Sequence, residues 1–262
     1  LLKMNPGDIC LFENIRFYLE EEKNDLSFFK SLGNNFEAYI NDAFSASHRN
    51  HGSIVGLPKF LPSYAGYGLI EELQNIDSFL NNPSKPKLAI IGGSKISSKI
   101  KLINNLLKFC DAICIGGAMA NTFLYSQNHT IGKSMIEKNL SNIALSILKK
   151  AKKFDCEIIL PLDVVCSKDL HDKSNIVECS VDKILKDQMI LDLGKKSIQL
   201  IEKYILKSKM ILWNGPLGAF EFKPFEKSSV KIANFIKINA KSPNIVSIAG
   251  GGDTLSLIKL AK

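Results

Sequence analysis

The chain has 262 residues, 45% of them hydrophobic and 23% charged, and carries a formal net charge of +8. This composition excludes an intrinsically disordered or collagen-like protein, and no apolar run reaches the roughly 18 residues that a membrane span needs. The positive balance suits nucleic acid, an anionic surface or small phosphorylated ligands, but the basic residues are scattered and lack interleaved aromatics, which argues against a nucleic-acid platform.

Residues 1–10 contain no basic segment followed by an apolar one, so they read as interior sequence and not as a signal peptide, and a cytoplasmic setting is expected. Residues 8–13 and 37–43 read as strands around a helix near 26–32, which makes a first α/β unit. Arg16 stands within it and Arg49 just after it, the only arginines among 34 basic residues. Lysine serves for solvated surface charge, whereas a planar guanidinium forks two donors onto a phosphate or carboxylate, so both arginines are candidate anion ligands. Residues 68–80 are amphipathic at helical spacing and run into a polar, proline-bearing stop at Asn81-Asn82-Pro83-Ser84-Lys85-Pro86. Periodicity alone allows either an interdomain connector or a helix packed within one domain.

Four strand–glycine turn–helix units follow, the pattern of a parallel α/β sheet. Residues 87–91 lead into Gly92-Gly93 and a helix through Leu107; residues 112–115 lead into Gly116-Gly117 and a helix around 121–124. Residues 210–213 lead into Asn214-Gly215-Pro216, and residues 245–249 lead into Gly250-Gly251-Gly252 and a helix from Asp253. In open parallel sheets the ligand crevice lies beyond the carboxyl ends of the strands, so all four turns point to one site. The six cysteines, Cys10, Cys110, Cys114, Cys156, Cys166 and Cys179, are spread singly through apolar stretches and read as buried reduced thiols, not as a zinc site or redox dithiol.

Gly92-Gly93-Ser94-Lys95-Ile96-Ser97-Ser98-Lys99 brings bare amides, a helix opening and two lysines together, a combination that suits phosphate. It is neither a Walker A loop nor a complete dinucleotide fingerprint. In Gly250-Gly251-Gly252-Asp253-Thr254 the carboxylate either caps the helix or holds a hard cation whose other ligands are phosphate oxygens; magnesium is the natural candidate. Glu221, just beyond the turn at Trp213-Asn214-Gly215-Pro216, is either a solvated surface acid or an acceptor for ribose hydroxyls.

Six segments occur here in the order found in phosphoglycerate kinases: Phe12 to Phe17, Asp42 to Arg49, Gly92 to Lys99, Gly116 to Phe123, Trp213 to Glu221 and Gly250 to Thr254. The chain resembles that family from end to end. The resemblance implies two Rossmann-like parallel-sheet domains, the N-terminal one incomplete, with residues 1–67 the remnant of a phosphoglycerate-binding domain, 68–82 an interdomain helix and 83–262 a nucleotide-binding domain. It implies Arg16 and Arg49 as ligands of 3-phosphoglycerate and Lys99 as the lysine that meets the moving phosphoryl group. Lys95, Gly116, Gly117, Asn214, Glu221, Gly251, Gly252, Asp253 and Thr254 would contact the nucleotide, with Asp253 as the Mg2+ ligand. The implied reaction passes a phosphoryl group between 1,3-bisphosphoglycerate and ADP, giving 3-phosphoglycerate and ATP, in a cytoplasmic monomer without nucleic-acid or membrane partners.

Small polar departures from the family pattern occur at Ser45, Ser47 and Ser98. The family's upstream Asp-x-Asn segment, with further Arg and His ligands, and its terminal glycine-rich loop have no counterpart between Leu1 and Lys262, so the chain as it stands is expected to bind nucleotide and to turn over negligibly. A nucleotide-binding module without catalysis is an alternative, and so is a dinucleotide-dependent oxidoreductase, although a complete G-x-G-x-x-G turn with its later acid is lacking.

Overall fold

A computed structural model describes residues 4–171, 174–240 and 245–261. The expected domain limits at Leu1 and Lys262 lie outside the described residues. The chain divides into two compact units, Leu1–Ser78 and Phe79–Lys262.

In the first unit a 3-10 turn at Ile15–Phe17 precedes helices α1 (Leu19–Lys23) and α2 (Leu26–Gly33), strand β1 (Tyr39–Asn41), a π-helical turn at Gly52–Gly56, strand β2 (Ser63–Ala65) and the start of helix α3 (Tyr67–Asn81). Helix α2 begins where Asp25 Oδ1 accepts from the amides of Ser27 and Phe28 at 2.9 and 3.2 Å. It buries Phe29, against which Gly52 packs so closely that a Cβ would collide with the ring. Buried Glu21 accepts from Ser53 N and Oγ at 2.7 and 2.6 Å and so holds the start of the π-turn.

The expected strand at 8–13 does not form; Ile9 and Leu11 are almost fully exposed, and Cys10 between them is exposed, contrary to its reading as a buried thiol. A strand exists through its ladder, and among the described residues no neighbour offers this segment one. The second expected strand shrinks to Tyr39–Asn41, which pairs in parallel with β2, Tyr39 opposite Ser63. Beyond it the side chains claim the backbone: Asn41 Oδ1 accepts from Ala43 N at 3.0 Å, and Asp42 Oδ1 from Leu69 N at 2.8 Å in the first turn of α3.

The second unit contains strands β3 (Lys87–Ile91), β4 (Ala112–Ile115), β5 (Glu157–Ile159), β6 (Asp163–Ser167), β7 (Val177–Ser180), β8 (Met189–Leu193), β9 (Met210–Asn214) and β10 (Val246–Gly250). Its helices are α4 (Ile100–Leu106), α5 (Met119–Ser126), α6 (Ser141–Lys153), α7 (Lys195–Lys207), α8 (Lys227–Asn239) and α9 (Gly252–Leu260). Five strands form a parallel sheet in the order β10-β9-β3-β4-β5. Alternation along β3 sends Ala89 and Ile91 into one core with α4, α5 and α6, and Leu88 and Ile90 into another with α7, α8 and α9. Burial on both faces explains why this strand reads as an unbroken apolar run.

At the start of β3, Lys87 is buried. Its ammonium donates to Phe79 O and Leu80 O at 2.6 and 2.9 Å, satisfying last-turn carbonyls of α3. A smaller antiparallel sheet, β7-β6-β8, has its own cluster containing Val164, Cys166, Val181 and Ile184. Cys110, Cys114, Cys156 and Cys166 are buried, and burial is the main influence pushing each of these thiols up to about 12. Such thiols are inert at neutral pH.

Candidate functional site

The four glycine-bearing turns meet at the carboxyl ends of β3, β4, β9 and β10, and backbone bonds knit them together. Gly92 N donates to Asn214 O at 3.0 Å, Gly93 N to Pro216 O at 3.1 Å and Gly117 N to Leu217 O at 2.9 Å. Gly117 adopts a φ of +65°, and a Cβ there would lie 2.6 Å from Gly93 O, so conformation and space both require glycine. Trp213 Nε1 closes its own turn by donating to Gly215 O at 2.8 Å. The fourth turn joins through side chains: Asn214 Nδ2 donates to Gly250 O at 2.9 Å, and Gly215 N donates to the buried Thr254 hydroxyl at 2.7 Å. Thr254 thus acts as a brace between two turns.

Lys99 stands at the N-cap of α4, which begins one residue later, at Ile100. Its ammonium donates to Asn214 O at 3.0 Å and also to Asn214 Oδ1. Burial lowers the Lys99 pKa, and the negative charge of Asp253 partly restores it. Asp253 itself lies exposed in the first turn of α9, beside Gly251 with its φ of +97° and Gly252, where a Cβ would meet open space. The N-cap of α9 is Gly251, which has no side chain to cap the first amides of the helix. Lys95 is exposed on the preceding loop, near Glu137. Burial raises the Glu137 pKa but is outweighed by hydrogen bonds from Ser97 and Ile96, so the pKa is lowered on balance, with the charge of Lys95 the smallest contribution.

A cavity of about 340 Å³ opens beside these turns, and Gly93, Gly117, Glu221 and Asp253 are in its lining. Gly116 is buried behind it, where a Cβ would collide with the Leu217 side chain. The opposite wall includes Ile190, Asp192 and Leu193 of β8, a strand that the sequence reading did not anticipate. Asp192 is buried; its Oδ2 accepts from Ser228 N at 3.0 Å and its Oδ1 from the Ser228 hydroxyl. Burial pushes its pKa up to about 7 and the charge of Glu226 adds to this, against the lowering effect of its hydrogen bonds. The adjacent Ser229 hydroxyl accepts from Leu217 N at 2.9 Å. Two consecutive serines therefore tie α8 to β8 and to the turn that carries Glu221. No sequence motif marks Asp192 or this serine pair.

Among the described residues no group of three or more His, Cys, Asp or Glu side chains is placed to hold a metal. Asp253 offers a single hard oxygen donor group at the cavity, which fits an ion held mainly by a ligand's phosphates. Arg16 and Arg49 belong to the first unit. Both are exposed, Arg16 within a 3-10 turn and Arg49 just after a turn closed by its own amide on Ala46 O at 3.0 Å.

The family model of phosphoglycerate kinase matches residues 1–262. A phosphoglycerate kinase of Caulobacter vibrioides is 45% identical over 255 residues, covering 97% of this chain and 64% of that protein. One from Sinorhizobium fredii is 43% identical over 262 residues, covering 100% and 66%. The chain thus spans about two thirds of the length of the curated relatives it matches. The solved phosphoglycerate kinase of Coxiella burnetii superposes with a TM-score of 0.82 at 33% identity, covering 95% of this chain and 63% of that one. That of Pyrococcus horikoshii gives 0.84 at 25% identity, covering 99% and 66%. With its whole length matched and its parallel-sheet architecture shared, the chain belongs to the phosphoglycerate kinase family.

Proposed function

We propose that this chain forms the nucleotide-holding part of a phosphoglycerate kinase, which moves a phosphoryl group reversibly between 1,3-bisphosphoglycerate and ADP to give 3-phosphoglycerate and ATP. The observation that carries this reading is the convergence of four strand-end turns on one cavity, with Glu221 and Asp253 in its lining and Lys99 anchored on Asn214. In this reading Lys99 meets the transferring group and Lys95 a nucleotide phosphate. Gly116 and Gly117 border the base, Asn214 and the amides of Gly251 and Gly252 adjoin the phosphates, Thr254 braces that loop, and Glu221 accepts from the ribose hydroxyls. Asp253 would hold Mg2+, which supplies charge neutralisation on the phosphates when bound.

The phosphoryl acceptor is a carboxylate, ionised at neutral pH, so no general base is needed. Arg16 and Arg49 serve 3-phosphoglycerate in this reading, α3 is the connector between residues 1–67 and 83–262, and the enzyme works as a cytoplasmic monomer. Calorimetric titration of the 262-residue chain with ATP, with and without Mg2+, tests the site. One molecule of ATP per chain is expected, with roughly tenfold or greater weakening in Lys99→Ala and in Glu221→Ala. Absence of heat, or affinities unmoved by both substitutions, would remove the nucleotide assignment.

A further inference from the structure

Three buried side-chain atoms lack a hydrogen-bond partner among the described residues, Asn24 Oδ1, Glu226 Oε2 and Asn121 Oδ1, and of these residues only Asn121 lines the cavity. Asn121 is 1% exposed and is the third residue of α5, and it shares the cavity lining with Gly117. Its Nδ2 donates to Met135 O at 3.0 Å, and Met135 also lines the cavity. That bond sets the amide's orientation, because a flipped amide would press Oδ1 onto a carbonyl oxygen. A buried acceptor without a partner costs free energy unless a ligand supplies a donor. The lining around it is largely apolar, including Ala118, Pro161, Met189, Ile190 and Leu217. Of the charged lining groups, Asp192 is committed to Ser228, and in the nucleotide reading Glu221 and Asp253 serve the ribose and phosphates.

We propose that Asn121 reads the base of the nucleotide: Oδ1 accepts a hydrogen bond from the exocyclic amine of a 6-aminopurine. A 6-oxopurine presents an acceptor at the same position and leaves two oxygens opposed, so the site discriminates against it. This rests on the nucleotide reading of the cavity. Oδ1 is closed to solvent, so entry of the base requires a neighbour to shift; Met135, unbranched and 53% exposed, is the wall residue suited to do so.

The test is calorimetry on the whole chain with ADP, with inosine diphosphate and with N6,N6-dimethyl-ADP, which keeps the amine nitrogen but has no hydrogen to donate. ADP is expected to bind roughly 10- to 100-fold more tightly than either analogue. In Asn121→Leu, ADP should fall to the level of inosine diphosphate while the latter is unchanged or improved. The ligand series on the unaltered chain decides the question even if the variant fails to fold. Equal affinity for all three ligands would overturn the proposal while leaving the nucleotide site standing, and so would a preference for ADP that survives in Asn121→Leu. If none of the three binds, the cavity reading falls and the proposal with it.

Discussion

At Lys99 two opposing influences act on one ammonium group: burial favours the neutral form, and the charge of Asp253 favours the protonated one. Asp253→Asn should therefore lower the Lys99 pKa further, which NMR titration of its side-chain nitrogen would register, whereas a rise would contradict the arrangement. Asp192 titrates the other way. Its folded pKa, raised from 3.8 to about 7, means that the unfolded chain gives up this proton first, so the group costs stability progressively as pH rises between 3.8 and about 7. In Asp192→Asn that part of the pH dependence should vanish from urea midpoints, and an unchanged profile would refute it. Lys99, Glu221 and Asp253 stand out in the sequence because each lies close to a glycine-bearing turn, and Glu221 and Asp253 do share the lining of one cavity. Asp192 and Asn121 do not stand out, since both lie within ordinary strand or helix patterns and acquire meaning from what folds against them.

At the level of elements, Asp163 at the start of β6 anchors α7 across the sheet. It accepts from Lys196 N and Ser197 N at 2.9 and 2.7 Å and from Ser197 Oγ at 2.7 Å. Burial raises its pKa, but the Ser197 hydroxyl and these two amides outweigh it and the net shift is downward. Its ionised form therefore contributes stability above 3.8, which is lost as pH falls through the lower folded value. Asp163→Ala should destabilise the chain by about 2–3 kcal/mol in urea denaturation, because a buried cap and its neighbours lose their partners together. A loss below about 0.5 kcal/mol would mean that α7 is held by its apolar face alone. Strands β3, β4, β9 and β10 are legible from their apolar runs and glycine stops. The short strand β5 and the antiparallel layer β6 to β8 are not, because Glu157–Ile159 and Val177–Ser180 are short and half-exposed and take strand form only from their neighbours.

Across the whole molecule the cores are unequal. Among the described residues of the first unit, Leu57 and Phe29 are the buried hydrophobic ones, whereas the second unit has two continuous clusters, one on each face of its sheet, and a third by the smaller sheet. Amides in residues 4–78 should therefore exchange with deuterium well before those of β3, β4 and β9, and a single shared exchange rate would contradict this order. The sequence by itself determined the α/β class, the four strand-end turns, the helix at Tyr67–Asn81 and the family, because these depend on local periodicity, on glycine placement and on motifs whose order a linear chain preserves. Only the tertiary structure decided that residues 8–13 are not a strand, that β8 supplies the second wall of the cavity and that Asn121 Oδ1 is left without a partner beside it. Those features are differences between groups far apart along the chain, in whether a ladder partner, a solvent molecule or a neighbouring donor is present, and no local pattern of residues encodes that presence.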